Sequence, residues 1–188
     1  MNKATFQEAV NQGFALGRWE QLGNWVAEES NYVFKDGDGP AFDEGIFKEF
    51  LLLLVEPSFI GSDNSSNALK MLEYDWASFS TGQTEELRGV LVTNYDKLLD
   101  PLSWFIISEL LGEYYADPGA LEDLRSLKRI VIDDEPRSLI PMSFEKLILY
   151  SPSETVKADA LIELIDMKDD PSEQVRAEVE TSFNRLNN

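Results

Sequence analysis

Carboxylates are the main reactive groups this chain offers. It contains 35 Asp and Glu residues but no His and no Cys, so the usual zinc ligands, a thiolate nucleophile and the common general base near neutral pH are all missing. Asp133, Asp134 and Glu135 are consecutive and followed by Pro136, which keeps them off a common helix face and puts them in a solvated connection. Asp36, Asp38 and Gly39 fit positions three, five and six of a calcium loop. Position one then falls on Phe34 and position twelve on Gly45, where that loop requires Asp and Glu. A carboxylate-bridged di-metal bundle needs Glu-x-x-His, and neither a GxGxxG nor a Walker A pattern is present. No metal, no cofactor and no catalytic residue is therefore expected.

Acids interleaved with aromatics suit binding better than catalysis. One group is Glu73, Tyr74, Asp75, Trp76 and Phe79; a second is Glu113, Tyr114, Tyr115 and Asp117. Tyr and Trp give rigid contact area with a polar tip, and carboxylates around them match Lys- or Arg-rich surfaces. The competing use of such rings is to fill the core, and Trp76 and Tyr114 are expected to contribute there. The candidate partner contacts are Tyr74, Asp75 and Trp76, then Tyr114, Tyr115 and Asp117, with Asp133, Asp134 and Glu135 steering the approach.

A formal net charge of −19 and a pI near 4.2, spread over both halves, repel nucleic-acid backbones and anionic membranes and draw in a cationic partner. The start MNKATFQEAVNQGF contains Glu8 and no continuous apolar core, so no signal peptide is expected. Phe50 to Val55 is far shorter than the ~20 residues of a membrane helix. The expectation is a cytoplasmic protein that binds neither nucleic acid nor membrane.

The elements that must position these residues all read as helices. Thr5 with Glu8 opens one, with Phe6, Val10 and Phe14 in phase; Trp19, Leu22, Trp25 and Val26 continue a helical period. Asn31 to Pro40 reads as a loop, with Tyr32 to Phe34 able to extend. Asp43 to Val55 is an apolar helix with Ile46, Phe47, Phe50, Leu51 and Leu54 inward, and further helices are expected over Ala68 to Trp76 and after Thr84. Later starts pair a cap with proline: Asp100-Pro101, Asp117-Pro118, Ser151-Pro152 and Asp170-Pro171, the last with Asp170 as N-cap and Glu173 completing a capping box. From about Arg137 to Tyr150 another helix is expected, either interrupted at Pro141 or holding it in its first turn. The final helix carries Val175, Val179, Phe183 and Leu186 on one face and Arg176, Glu180 and Asn184 on the other.

Pro118 and Pro152 lie about 34 residues apart, as do the start near Arg137 and Pro171, which is how interleaved helix pairs repeat. The order Asp-Pro, then Val-Arg, then small or apolar residues at helical spacing, then Leu, over Asp169 to Leu186, resembles the second half of a HEAT repeat. Ala158 to Met167 is similar to the helix that would pair with it. No strand-period segment of useful length appears, so an all-α fold is expected: a single helical domain, 1–188, in which a compact helical bundle (1–97) continues into a stretch (98–188) that resembles a short HEAT-like α-solenoid. In size, acidity and lack of Cys the chain is similar in type to bacterial toxin-immunity proteins. That likeness implies a non-catalytic inhibitor whose partner is a basic protein, with a HEAT-like adaptor as the alternative.

Overall fold

At Ser80, Asp117, Ser153 and Ser172 a short polar side chain opens a helix by accepting a backbone N–H that the first turn leaves unpaired. The computed structural model describes residues 32–35, 39–42, 44–57, 69, 79–97, 104 and 107–187. The chain is all-α in class and divides into two compact units, Met1–Ser103 and Trp104–Asn188. The helices expected from Thr5 and Trp19, most of Ala68 to Trp76 and the start at Pro101 lie outside the described residues.

In the first unit, part of the expected loop is paired. Tyr32–Lys35 (β1) and Gly39–Phe42 (β2) run antiparallel, with Tyr32 opposite Phe42 and Phe34 opposite Pro40. Tyr32, Val33 and Phe34 bring the aromatic and β-branched character that strands favour, and a three-residue link suits a hairpin. Helix α1, Glu44–Leu54, buries Phe47, Leu51 and Leu54 and leaves Lys48 exposed, four residues from its ion-pair partner Glu44. Helix α2 is Thr81–Asn94 and starts earlier than expected, because Ser80 and Gln83 form a capping box. The Gln83 side chain also donates to Glu44, tying α2 to α1, and the Phe47 and Phe79 rings meet at 5.5 Å.

The second unit begins with buried Trp104 and Ile107 and a π-helical segment, Leu110–Tyr115, whose Leu110 and Leu111 are also buried. It ends at Ala116 in the left-handed region, φ 38°. Helix α3, Pro118–Ile130, starts as expected: Asp117 accepts from the Ala120 N–H at 2.7 Å and Pro118 occupies the first turn. The acidic break is a helix rather than a loop, since Asp134–Ser138 forms the short α4 with Pro136 inside it. Proline is tolerated that close to a helix start, where N–H groups have no intrahelical partner.

Helix α5, Ile140–Tyr150, holds Pro141 in its first turn and buries Ile140, Phe144 and Leu147. It packs against the π-helical segment, α3, α4, helix α6 (Glu154–Asp166) and helix α7 (Glu173–Leu186). Gly112 permits a close approach to α5: a Cβ there would come within 2.9 Å of the Ser143 carbonyl oxygen and of Lys146 Cβ. The Ser108 and Ser143 hydroxyls form a hydrogen bond in this seam, and Ser108 also donates to the Leu139 carbonyl.

Both α6 and α7 start two residues after the proline, with the intervening serine as the N-cap. Ser153 caps α6 through the Val156 N–H, and Ser172 caps α7 through the Val175 N–H. The residue before each proline accepts from the cap serine's own N–H, Ser151 in one case and Asp170 in the other. Asp170 is therefore not the N-cap that its place before Pro171 implies. On α7, Val175 and Val179 are buried as expected. Ser182 takes the next buried position, leaving Phe183 half-buried with the Lys168 ammonium 4.1 Å from its ring centre. Arg185 reaches buried Glu145 on α5 at 3.1 Å.

Replacing Ser172 by Ala should lower stability by about 1 kcal/mol, the usual worth of an N-cap. The check is a lower denaturation midpoint at unchanged slope. An unchanged midpoint would mean that Ser172 does not cap α7.

Candidate functional site

Arg137, on the short α4, organises the corner that carries the acidic run. Its Nε and Nη2 donate to Asp170 Oδ2 at 2.9 and 2.6 Å, and its Nη1 donates to the carbonyl oxygens of Lys128 and Val131 at 2.6 and 2.7 Å. A cation at the end of α3 thus meets the carbonyls that its last turn leaves open. Asp170 is almost fully buried, with 3% of its side chain exposed. Its second oxygen accepts from Ser172 N–H at 3.0 Å, and Arg176 donates to its backbone carbonyl at 2.6 Å. Burial alone would raise the Asp170 carboxyl; the Arg137 hydrogen bonds, the Ser172 N–H and the nearby guanidinium charges outweigh it and hold the group below the ordinary carboxylate range.

The clasp fixes both ends of the segment between α3 and α4. Ile130, Ile132, Asp133, Asp134 and Glu135 are all exposed there, Ile132 by 82%. Asp133 stands at the N-cap position of α4 without a side-chain cap bond, and Asp134 and Glu135 follow in its first turn. Among the described residues none of these three carboxylates makes an ion pair. The corner offers an apolar side chain beside three unpaired negative charges.

The tyrosine group is differently placed. Tyr114 and Tyr115 end the π-helical segment, Tyr114 being 38% exposed and Tyr115 half-buried. Glu113 pairs with Lys146, as does Glu109. Burial pushes the Lys146 ammonium down, but these two carboxylates outweigh it and raise the group above its ordinary value. Asp117 is engaged as the cap of α3, so its carboxylate serves the fold and not a partner-facing role alone. The tyrosines ride on a segment packed against α3 and α5, the acids on a helix packed against α5 and α7. Tyr74, Asp75 and Trp76 lie outside the described residues.

No protein family, curated protein or solved structure matches this chain.

Many of its acids are matched from within. Across the α3–α6 seam Arg125 pairs with Asp159 and Glu163, and Lys128 pairs with Glu163 and Asp166, while Glu122 on α3 itself pairs with Arg125 one turn on. Burial would raise the Glu163 carboxyl, yet Lys128 and Arg125 keep it below its ordinary value. Among the described residues no group of three or more Asp and Glu is placed to hold a metal ion, and no helix is long and apolar enough to cross a membrane. The void lined by Trp104, Ile107, Ser108, Leu124 and Ser143 measures about 10 Å³, room for about one water.

Sequence reasoning missed two features. Ile132 sits in a run read only for its acids. Helix α6 carries two apolar stripes: Val156, Ala160, Leu164 and Met167 just beyond it are buried, while Ala158, Leu161, Ile162 and Ile165 are exposed. The second stripe has the i, i+3, i+4, i+7 spacing of a contact face and was legible in the sequence as one stripe too many.

With its folded pKa depressed, Asp170 contributes stability fully above its unfolded value of about 3.9 and loses it as pH falls through the lower folded value. Asp170→Asn should cost about 3 kcal/mol at neutral pH. It should also flatten the decline in stability below about pH 4. A variant that declines in parallel with the parent would exclude Asp170 as the source.

Proposed function

We propose that the chain is a non-catalytic protein-binding module, an acidic inhibitor of the immunity type that binds and occludes a basic toxin or effector in the cytoplasm. The observation that carries this reading is the α3–α4 corner: Asp133, Asp134 and Glu135 exposed and unpaired beside Ile132, in a chain of net charge −19. Carboxylates held on this corner raise the rate at which a cationic surface finds them, and the apolar side chain next to them supplies contact once water leaves. A corner held by the Arg137 clasp presents this charge without first having to order itself. Tyr114 and Tyr115 add aromatic contact area, and Tyr74, Asp75 and Trp76 are proposed on composition alone. The lack of His and Cys favours binding over catalysis.

A HEAT-like adaptor is the second reading. It is supported by the way α5 packs against the π-helical segment, α3, α6 and α7, the kind of succession that stacked helix pairs make.

A pull-down with the immobilised chain should recover a basic protein whose association rate falls as salt rises. Asp133→Lys with Asp134→Lys should slow association about tenfold and change dissociation by no more than about twofold, as expected of steering charges at a rim. An acidic partner, or one indifferent to salt, would favour the adaptor.

A further inference from the structure

Helix α6 turns about 100° per residue, so Ala158, Leu161, Ile162 and Ile165 line the side opposite the buried Val156, Ala160 and Leu164. Leu161, Ile162 and Ile165 are 37%, 61% and 48% exposed. Single exposed apolar residues are ordinary, but a contiguous stripe spanning about 10 Å of helix is the pattern of a contact surface. Its border is acidic. Glu154 stands at its head, 87% exposed, and Asp159 and Asp166 run along one edge, 39% and 72% exposed while they pair with Arg125 and Lys128. Lys157 lies on the other edge, paired with Glu154.

We propose that the outward face of α6 is where the basic partner seats an amphipathic helix, its apolar side on Leu161, Ile162 and Ile165 and its Lys or Arg flank against Glu154, Asp159 and Asp166. This rests on the reading of the chain as a binder of basic proteins and names the surface and the partner element. Charge complementarity decides the occupant. A second copy would bring another −19 chain and a like-charged rim onto this one, and an anionic bilayer would be repelled in the same way. A cationic helix satisfies the apolar stripe and the rim together, in the manner of helix recognition through i, i+3, i+4 and i+7 anchors.

The test uses two synthetic helical peptides with the same leucine stripe, one flanked by Lys and one by Glu, titrated by fluorescence anisotropy into the full chain. The Lys peptide should bind about tenfold or more tighter than the Glu peptide. Ile162→Gln with Ile165→Gln keeps helix propensity at exposed positions and should weaken the Lys peptide about tenfold or more with an unchanged circular dichroism spectrum. Ile162→Lys, a single change, should weaken it as well, which covers the case in which the double variant is destabilised. Salt-sensitive binding of the Lys peptide that ignores both variants would overturn the α6 surface and leave the basic-partner reading standing. Equal binding of the two peptides would overturn both. Dimerisation of the parent that Ile162→Lys abolishes would assign the stripe to a second copy and overturn the proposal.

Discussion

Arg137 donates to three oxygens from two places in the chain: the Asp170 carboxylate, just ahead of α7, and the carbonyls of Lys128 and Val131 at the end of α3. These groups are all removed from full contact with water, so each would be costly to leave unmatched. Together they join the end of α3, the short α4 and the start of α7. Asp170 extends the link by accepting from Ser172, the residue that caps α7. Such a pair is weak support for net stability, because both charges must be desolvated. Its effect is on geometry: the guanidinium ties α4 to the end of α3 and to the residue just ahead of α7.

That geometry connects the fold to the proposed function. The same corner that buries one carboxylate leaves three others in solvent. The acids divide by partner: those on α6 facing α3 neutralise Arg125 and Lys128, Glu109 and Glu113 neutralise Lys146, and Asp133, Asp134 and Glu135 make no ion pair among the described residues. On the proposed reading, net charge draws a cationic partner from a distance and the exposed charge of this corner orients it. On the same reading, the apolar stripe of α6 and the exposed Ile132 supply the contact that charge alone does not.

Much of this was legible in the sequence where local chemistry decides. Asp117-Pro118 followed by Gly119 caps α3 as read, because Gly119 offers no competing oxygen. In Ser151-Pro152-Ser153 and Asp170-Pro171-Ser172 the serine after the proline captures the cap, and the residue before the proline turns back to the serine's own N–H. The cap-plus-proline reading therefore located these helices within two residues but misassigned Asp170. The true partner of Asp170 is 33 residues away in Arg137, a pairing no local rule supplies. Ser80 with Gln83 was a readable capping box that was passed over. The acid run Asp133 to Glu135 was read as exposed, and it is, although Pro136 sits inside a helical turn instead of ending one. Ile132 and the second stripe of α6 were missed because periodicity shows that a face is apolar and cannot show which of two faces the core will use.

The corner depends most on the coupling between Arg137 and Asp170. A double-mutant cycle with Arg137→Met, Asp170→Asn and the pair, followed by denaturant unfolding at neutral pH, measures it directly. Each single change should be destabilising, and the double variant should be more stable than the sum of the two losses predicts, with a coupling of about 1.5 kcal/mol or more, since either change alone strands a charged or polar partner. Additive losses would mean that the two side chains act independently and that the corner carrying Asp133, Asp134 and Glu135 is held by something else.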